Sequence, residues 1–182
     1  MKITIFILIV LILGLIWIYN RFIQLKKRSE AAWADIDVQL KRRYDLIPNI
    51  ISSVKAYQSY EKKILEDITA LRSSTRDTAT RHDKIQIENQ LSNSLKTIFA
   101  LAEKYPDLKA NQNFLSLHNT LTDIENHLQG ARRYYNAVVR DFNTWCESFP
   151  SNILAKFFHF VVLEYFNLDN LNERNVTEVK LD

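Results

Sequence analysis

The sequence predicts an all-α protein, in which one N-terminal membrane-spanning helix continues into a bundle of long helices. Three observations predict it. Only 2 Gly and 3 Pro occur in 182 residues, and so little turn punctuation favours few, long elements. Residues 3–18 (ITIFILIVLILGLIWI) carry no charge. From Phe114 onward, apolar residues fall at 114, 117, 121, 124, 128, 131, 135, 138, 142 and 145. That unbroken alternation of three and four is the period of a packed helical seam.

The first element is the anchor, residues 1–20. With Met1 and Tyr19 the apolar stretch approaches the ~20 residues that cross a ~30 Å hydrocarbon core. Trp17 and Tyr19 close it, at the level where amphipathic rings settle among headgroups. A cleavable signal would have an apolar core of about 7–15 residues ending at a small-x-small site. Here Tyr19-Asn20-Arg21-Phe22 follows, and the nearest match, Ser29-Glu30-Ala31, lies beyond four cations. An uncleaved anchor is therefore expected. Arg21, Lys26, Lys27 and Arg28 outnumber Lys2 on the other flank, so the positive-inside rule places the N-terminus outside and the body in the cytoplasm. The same cations can lie against anionic headgroups at about 1 kcal/mol each.

The bundle is expected over residues 21–149. Its first segment carries Leu25, Ala32, Ile36, Leu40, Ile47, Ile51, Val54, Ile64, Ile68 and Leu71. No linker separates it from the anchor, so residues 3–44 form one rod, about 60 Å long at 1.5 Å per residue. Pro48 leaves two readings open. Asp45 caps a new helix with Pro48 in its first turn, giving four soluble helices. Alternatively one helix kinks at Pro48, giving three long helices. The next segment, 80–104, carries Ile85, Leu91, Leu95, Ile98, Phe99 and Ala102 between two loops, residues 73–78 and 105–107. Asn111 is placed to cap the long seam helix, and Ser148-Phe149-Pro150 ends it. Gly130, in that helix's interior, marks either close approach of a neighbour or a mild kink.

After the bundle, Ser151 is expected to cap a short helix. Residues 150–166 then gather Phe157, Phe158, Phe160, Tyr165 and Phe166. This is a candidate interaction surface if exposed, and the expectation is that it packs on the bundle. Residues 167–182 are polar and aperiodic, which predicts a mobile tail.

No catalytic site, metal or cofactor is expected. Glycines only at 14 and 130 exclude a Gly-rich phosphate loop. His82, His118, His127 and His159 lack metal-ligand spacing, and Asp123, Glu125 and His127 at i, i+2 do not share a helix face. Cys146 has no neighbouring base or cation and reads as an inert thiol. The net charge of +3 is spread among interleaved acids, so nucleic acid is not expected, and with no site pattern no small-molecule substrate is expected either. One stretch stands out as a structural joint: Asp37, Arg43, Asp45 and Pro48. Asp37–Lys41 and Arg42–Asp45 can pair along the helix for about 0.2–0.5 kcal/mol each. Arg43 instead falls on the core step, where a charge needs a partner. Asp123, Glu125 and Asp141 are the candidates.

Several blocks together resemble the LemA family. They are Trp33, Ile36-Asp37-Val38-Gln39-Leu40, Arg42-Arg43 and Asp45-Leu46-Ile47-Pro48-Asn49; then Tyr105-Pro106-Asp107-Leu108-Lys109-Ala110-Asn111 and Asn113-Phe114; then Ala131-Arg132, Tyr135-Asn136, Phe142-Asn143 and Ser148-Phe149-Pro150-Ser151-Asn152. The resemblance implies a bacterial inner-membrane protein with one anchor and a cytoplasmic antiparallel four-helix bundle. It brings no catalytic residues. His159 departs from the glycine common in the family between the counterparts of Phe158 and Phe160. The segment after Phe166 shows no family pattern. The role expected is a scaffold or oligomerisation module whose partners are the membrane, a second copy or another protein. The alternative is a lipid-binding or membrane-remodelling protein that uses the basic juxtamembrane residues and the aromatic cluster.

Overall fold

The computed structural model describes residues 1–55, 62–77, 80–102 and 105–166. They form helices α1 (Lys2–Lys55), α2 (Lys62–Asp77), α3 (Arg81–Ala102), α4 (Pro106–Lys109), α5 (Gln112–Glu147) and α6 (Ser151–Phe157). No strand occurs among the described residues. The expected 167–182 tail lies outside them.

Helix α1 runs through Pro48 without ending. Proline removes one backbone donor, but the buried positions 36, 40, 43, 47, 50 and 54 keep helical phase on both sides of it. Core packing on that face outweighs one lost bond. The helix start at Asp45 is therefore overturned. Asp45 is an exposed mid-helix residue with its carboxylate 3.8 Å from Lys41 Nζ, while Arg42 donates to Gln39 Oε1 at 3.3 Å. The buried isoleucine after the proline is Ile50, with Ile51 half-buried.

Both expected loops are corrected. Residues 73–77 are the last turns of α2. The Ser73 and Ser74 hydroxyls donate back to the Ala70 carbonyl at 2.7 and 3.0 Å, which lets serine stay within a helix. Pro106 opens the single turn α4 at its first position, with extended Tyr105 before it; there proline's missing N–H costs nothing. Asn111 does cap α5, its Oδ1 accepting from the Asn113 and Phe114 amides at 2.9 and 3.1 Å.

Ser151 behaves differently from its expected capping role. It is the first residue of α6 and makes no cap bond to it. Its hydroxyl lies 2.6 Å from the Trp145 carbonyl and 2.9 Å from that of Ser148. It thus bonds carbonyls at the C-terminal end of α5, where intrahelical donors run out, and the Ser148 carbonyl also accepts from the Asn152 amide at 2.8 Å. At Gly130 an added Cβ would meet nothing within 4 Å, so close approach of a neighbour does not explain that glycine.

The chain divides into two compact units. The first joins Met1–Asp45 to Thr120–Phe166. Its core holds Phe22, Leu25, Phe142, Cys146, Leu154 and Ala155, with Ile18, Trp145, Phe160 and Leu163 packed against it. The second contains Leu46–Asn119, in which α2 packs on α3 and the Phe99 ring lies 5.3 Å from that of Phe114.

Candidate functional site

The root of α1, within the first unit, brings together two groups of residues that lie far apart in sequence. Residues 3–17 are exposed, and none of the apolar window is buried within the protein. One turn later Phe22 is fully buried. The apolar segment therefore passes into the core with no intervening linker. Trp17 meets Trp145 edge-on at 5.7 Å. Tyr19 lies 4.8 Å from Phe158 and 6.2 Å from Phe160. Phe22 stacks on Phe160 at 4.6 Å with the planes 9° apart. Such ring pairs contribute about 0.5–1.5 kcal/mol each beyond their burial.

The cations take the rest of the helix circumference. Phe22, Leu25 and Ser29 face the core, while Lys26, Lys27 and Arg28 are exposed. Arg21 bonds Gln24 at 2.8 Å, and Lys27 pairs with Glu30 at 2.8 Å. These are exposed i, i+3 contacts that leave the positive charge at the surface.

The aromatic segment is split rather than wholly packed. Phe166 is buried and Phe160 half-buried, but Phe157 is 74% exposed, and Phe158 and Tyr165 are exposed as well. A turn at the end of α6 separates Phe157 and Phe158 from Phe160, Tyr165 and Phe166. His159 has φ 57°. The His159 amide donates to the Lys156 carbonyl and the Phe160 amide to that of Ala155, the paired bonds of a Schellman motif. This is why glycine suits that position.

Beyond the turn, residues 160–166 are held to α5 by two asparagines. Asn143 donates from Nδ2 to the Leu163 carbonyl at 2.9 Å, and its Oδ1 accepts from the Leu163 amide at 2.8 Å. Asn136 does the same for Phe166, at 3.0 and 2.8 Å. Seven residues of helix advance about 10.5 Å, and three of extended chain about 10 Å, so both amides register with the backbone at once. Tyr135 adds a bond from its hydroxyl to the Glu164 carbonyl at 3.0 Å. Trp33 packs on both Tyr135 and Phe166, and the Arg132 guanidinium lies 4.3 Å over the Phe166 ring.

At the far end of this unit Arg43 is fully buried, and its Nη1 donates to Glu125 Oε1 at 2.6 Å. Of the three candidate acids, Asp123 and Asp141 are exposed. Asp37 and Pro48 are half-buried.

Sequence reasoning missed three features. Glu88 is fully buried on the core step between Ile85 and Leu91. Arg132 is buried against Phe166. The asparagine clamps are signalled only by the seven-residue spacing of Asn136 and Asn143, which puts both on one helix face. Among the described residues no three His, Cys, Asp or Glu side chains form a group that could hold a metal ion. Cys146 is buried, and that burial, with Glu147 beside it, pushes its pKa up to about 11.

A profile of the LemA family matches residues 32–181. The chain belongs to the LemA family. The match includes the tail after Phe166, where sequence reading found no family pattern. Among its relatives, protein LemA of Metamycoplasma hominis is 22% identical over 164 residues, covering 90% of this chain and 73% of the relative. Magnetosome protein MamQ of Magnetospirillum gryphiswaldense is 19% identical over 193 residues, covering 92% of this chain and 71% of the relative. Magnetosome protein MamQ 2 of Paramagnetospirillum magneticum is 20% identical over 192 residues, covering 91% and 71%. None of these names states a reaction.

Proposed function

We propose that this LemA-family protein is a single-pass protein of a bacterial inner membrane. Its N-terminus lies outside and its body in the cytoplasm, and the body is a scaffold that gathers partners or further copies at the bilayer. The observation that carries this is the root of α1. Ile18 and Phe22, at the end of the apolar segment, are part of the first unit's packing. A body joined to its anchor through a shared core is held close to the membrane surface, which suits presentation rather than reach. The excess of cations after the span supports the orientation, and the names of the magnetosome relatives support a membrane location. We read the body as the antiparallel four-helix bundle implied by the family resemblance, with α1, α2, α3 and α5 as its long helices.

The test is in-membrane crosslinking of the full chain, followed by native mass measurement after detergent extraction. Discrete oligomers or a reproducible crosslinked partner are expected. A strict monomer with no crosslinked species would count against a scaffold.

The exposure of Phe157 and Phe158 beside Tyr19 favours a second reading, in which the protein binds or remodels lipid. Proteoliposomes of phosphatidylcholine and phosphatidylglycerol would then change size as full-length protein is added, and less so with Arg21, Lys26, Lys27 and Arg28 replaced by glutamine. Unchanged vesicle sizes would argue against remodelling.

A further inference from the structure

We infer that α6 and the turn after it are immersed in the membrane interface, and that the groove between α6 and the last turns of the span holds an acyl chain of a bilayer lipid. The inference rests on the reading of α1 as a membrane span and deepens the lipid reading above.

The groove encloses about 560 Å³. Leu15, Ile16 and Tyr19 form one wall, and Ile153, Leu154, Phe157 and Phe158 form the other. The first wall fixes the depth. If the hydrocarbon boundary lies near Asn20, where the apolar run ends, Leu15 and Ile16 lie about 6–8 Å below it at 1.5 Å per residue. Amphipathic elements that lie in the interface bury their apolar faces about 5–10 Å deep. A wall built from α6 at that level is therefore bathed by acyl chains.

The outer surface of this region fits the same place. Phe149, Ile153, Phe157, Val161 and Val162, all within one stretch of 14 residues, are exposed, and large apolar side chains facing outward at this density suit lipid better than water. Lys156, exposed in the last turn of α6, has a stem long enough to lie along apolar surface while its ammonium reaches headgroups. Lys26, Lys27 and Arg28 lie about 10–14 Å further along α1 from Tyr19 at the same rise, level with anionic headgroups and beyond. A protein partner arriving from solution would have to displace lipid to reach a groove whose wall is the span itself. An acyl chain is already there.

The test uses the full chain with Cys146→Ala, reconstituted in phosphatidylcholine–phosphatidylglycerol vesicles. Single cysteines at Phe157→Cys, Val161→Cys, Ile12→Cys or Lys63→Cys carry an environment-sensitive fluorophore. Quenching is read with phosphatidylcholines brominated at shallow or deep acyl positions, and with aqueous iodide. The expected result is roughly twofold or stronger quenching at 157 and 161 by shallow-brominated lipid, as for interfacial elements. Iodide should have little effect at those two sites. Label 12 should respond to the deeper bromine and label 63 to iodide alone. Quenching of 12 but not of 157 or 161 by lipid, with iodide reaching both, overturns the immersion of α6 and leaves the span intact. Shielding of 157 and 161 from both quenchers means protein covers the patch, which also overturns it. Failure of label 12 to respond to lipid removes the span and the inference together.

Discussion

Arg43 Nη1 and Glu125 Oε1 meet at 2.6 Å across 82 residues of sequence, with the arginine side chain fully buried and the glutamate's 31% exposed. The two partners therefore have unequal consequences when lost. Glu125→Ala leaves a guanidinium in the core with less compensation, and removing one partner of a buried pair typically costs about 3–5 kcal/mol. Partial exposure of Glu125 places the expected loss at or below the bottom of that range, about 2–3 kcal/mol. Arg43→Leu removes the charge itself and is expected to stay within roughly 1 kcal/mol of wild type, since apolar replacements of buried ions are often neutral. Chemical denaturation of the detergent-solubilised protein measures both. Equal losses for the two variants would show that the asymmetry is absent.

The pair also shows where sequence legibility ends. That Arg43 needs a partner follows from its place on the 36, 40, 43, 47 step, because helical period is a local property. Which acid supplies it does not, because Asp123, Glu125 and Asp141 share one helix and only the rotation of α5 against α1 separates them. The ten-position seam of α5 is legible for the same local reason: every one of its positions is buried or half-buried. Glu88 occupies an equally clear core step, yet its residue type argues for exposure and hides it. Ser73 and Ser74 read as loop because their bonds to Ala70 substitute side-chain for solvent contacts in a way that composition does not record. Asn136 and Asn143 bind backbone, so beyond their seven-residue spacing nothing in the sequence signals the contact.

The asparagine clamps predict a segment that can be loosened on its own. Asn143→Ala removes both bonds to Leu163, leaving a backbone donor and acceptor without those partners at about 1–3 kcal/mol. Amide exchange at Leu163 and Phe166 should accelerate in that variant, while exchange in the middle of α5 stays protected. Asn143→Asp keeps an acceptor for the Leu163 amide but sets a carboxylate against the Leu163 carbonyl, so it should behave like the alanine variant. Protection at Leu163 unchanged in both variants would mean that the rings of Phe160 and Phe166 hold the segment by themselves.

His159 adopts φ 57°, a left-handed conformation that disfavours a side chain by roughly 1 kcal/mol or more. His159→Gly should therefore raise stability by about 0.5–1 kcal/mol. The gain should appear in the thermal midpoint of the full-length protein. A lower midpoint would indicate that the histidine side chain stabilises the turn by more than its backbone conformation costs.

Gly130 supports the opposite substitution. It lies inside α5, its backbone is helical, and open space surrounds the position of a Cβ. Gly130→Ala is expected to stabilise by about 0.5–1 kcal/mol through helix propensity alone. Calorimetry of the reconstituted protein reads it. A loss of stability would mean that the extra methyl is excluded by something seated on that face, and crosslinking from position 130 would then find it.

Cys146 titrates in a direction set by burial. Its thiol is pushed from 9.0 up to about 11, mainly by desolvation and then by Glu147. The folded state therefore holds the proton more tightly than the unfolded state does. The resulting stability is fully present below about pH 9 and is lost as pH rises from there towards 11. At pH 8 the folded protein also has about a hundredfold less thiolate than an unshifted cysteine. A disulfide reagent should consequently label Cys146 slowly in the native protein and rapidly after denaturation. Across pH 8–11 the unfolding free energy of wild type should fall relative to that of Cys146→Ala, which lacks the titrating group and shares every other one. Parallel pH profiles for the two proteins, together with fast native labelling, would place the thiol in solvent and contradict the burial seen between α1, α5 and α6.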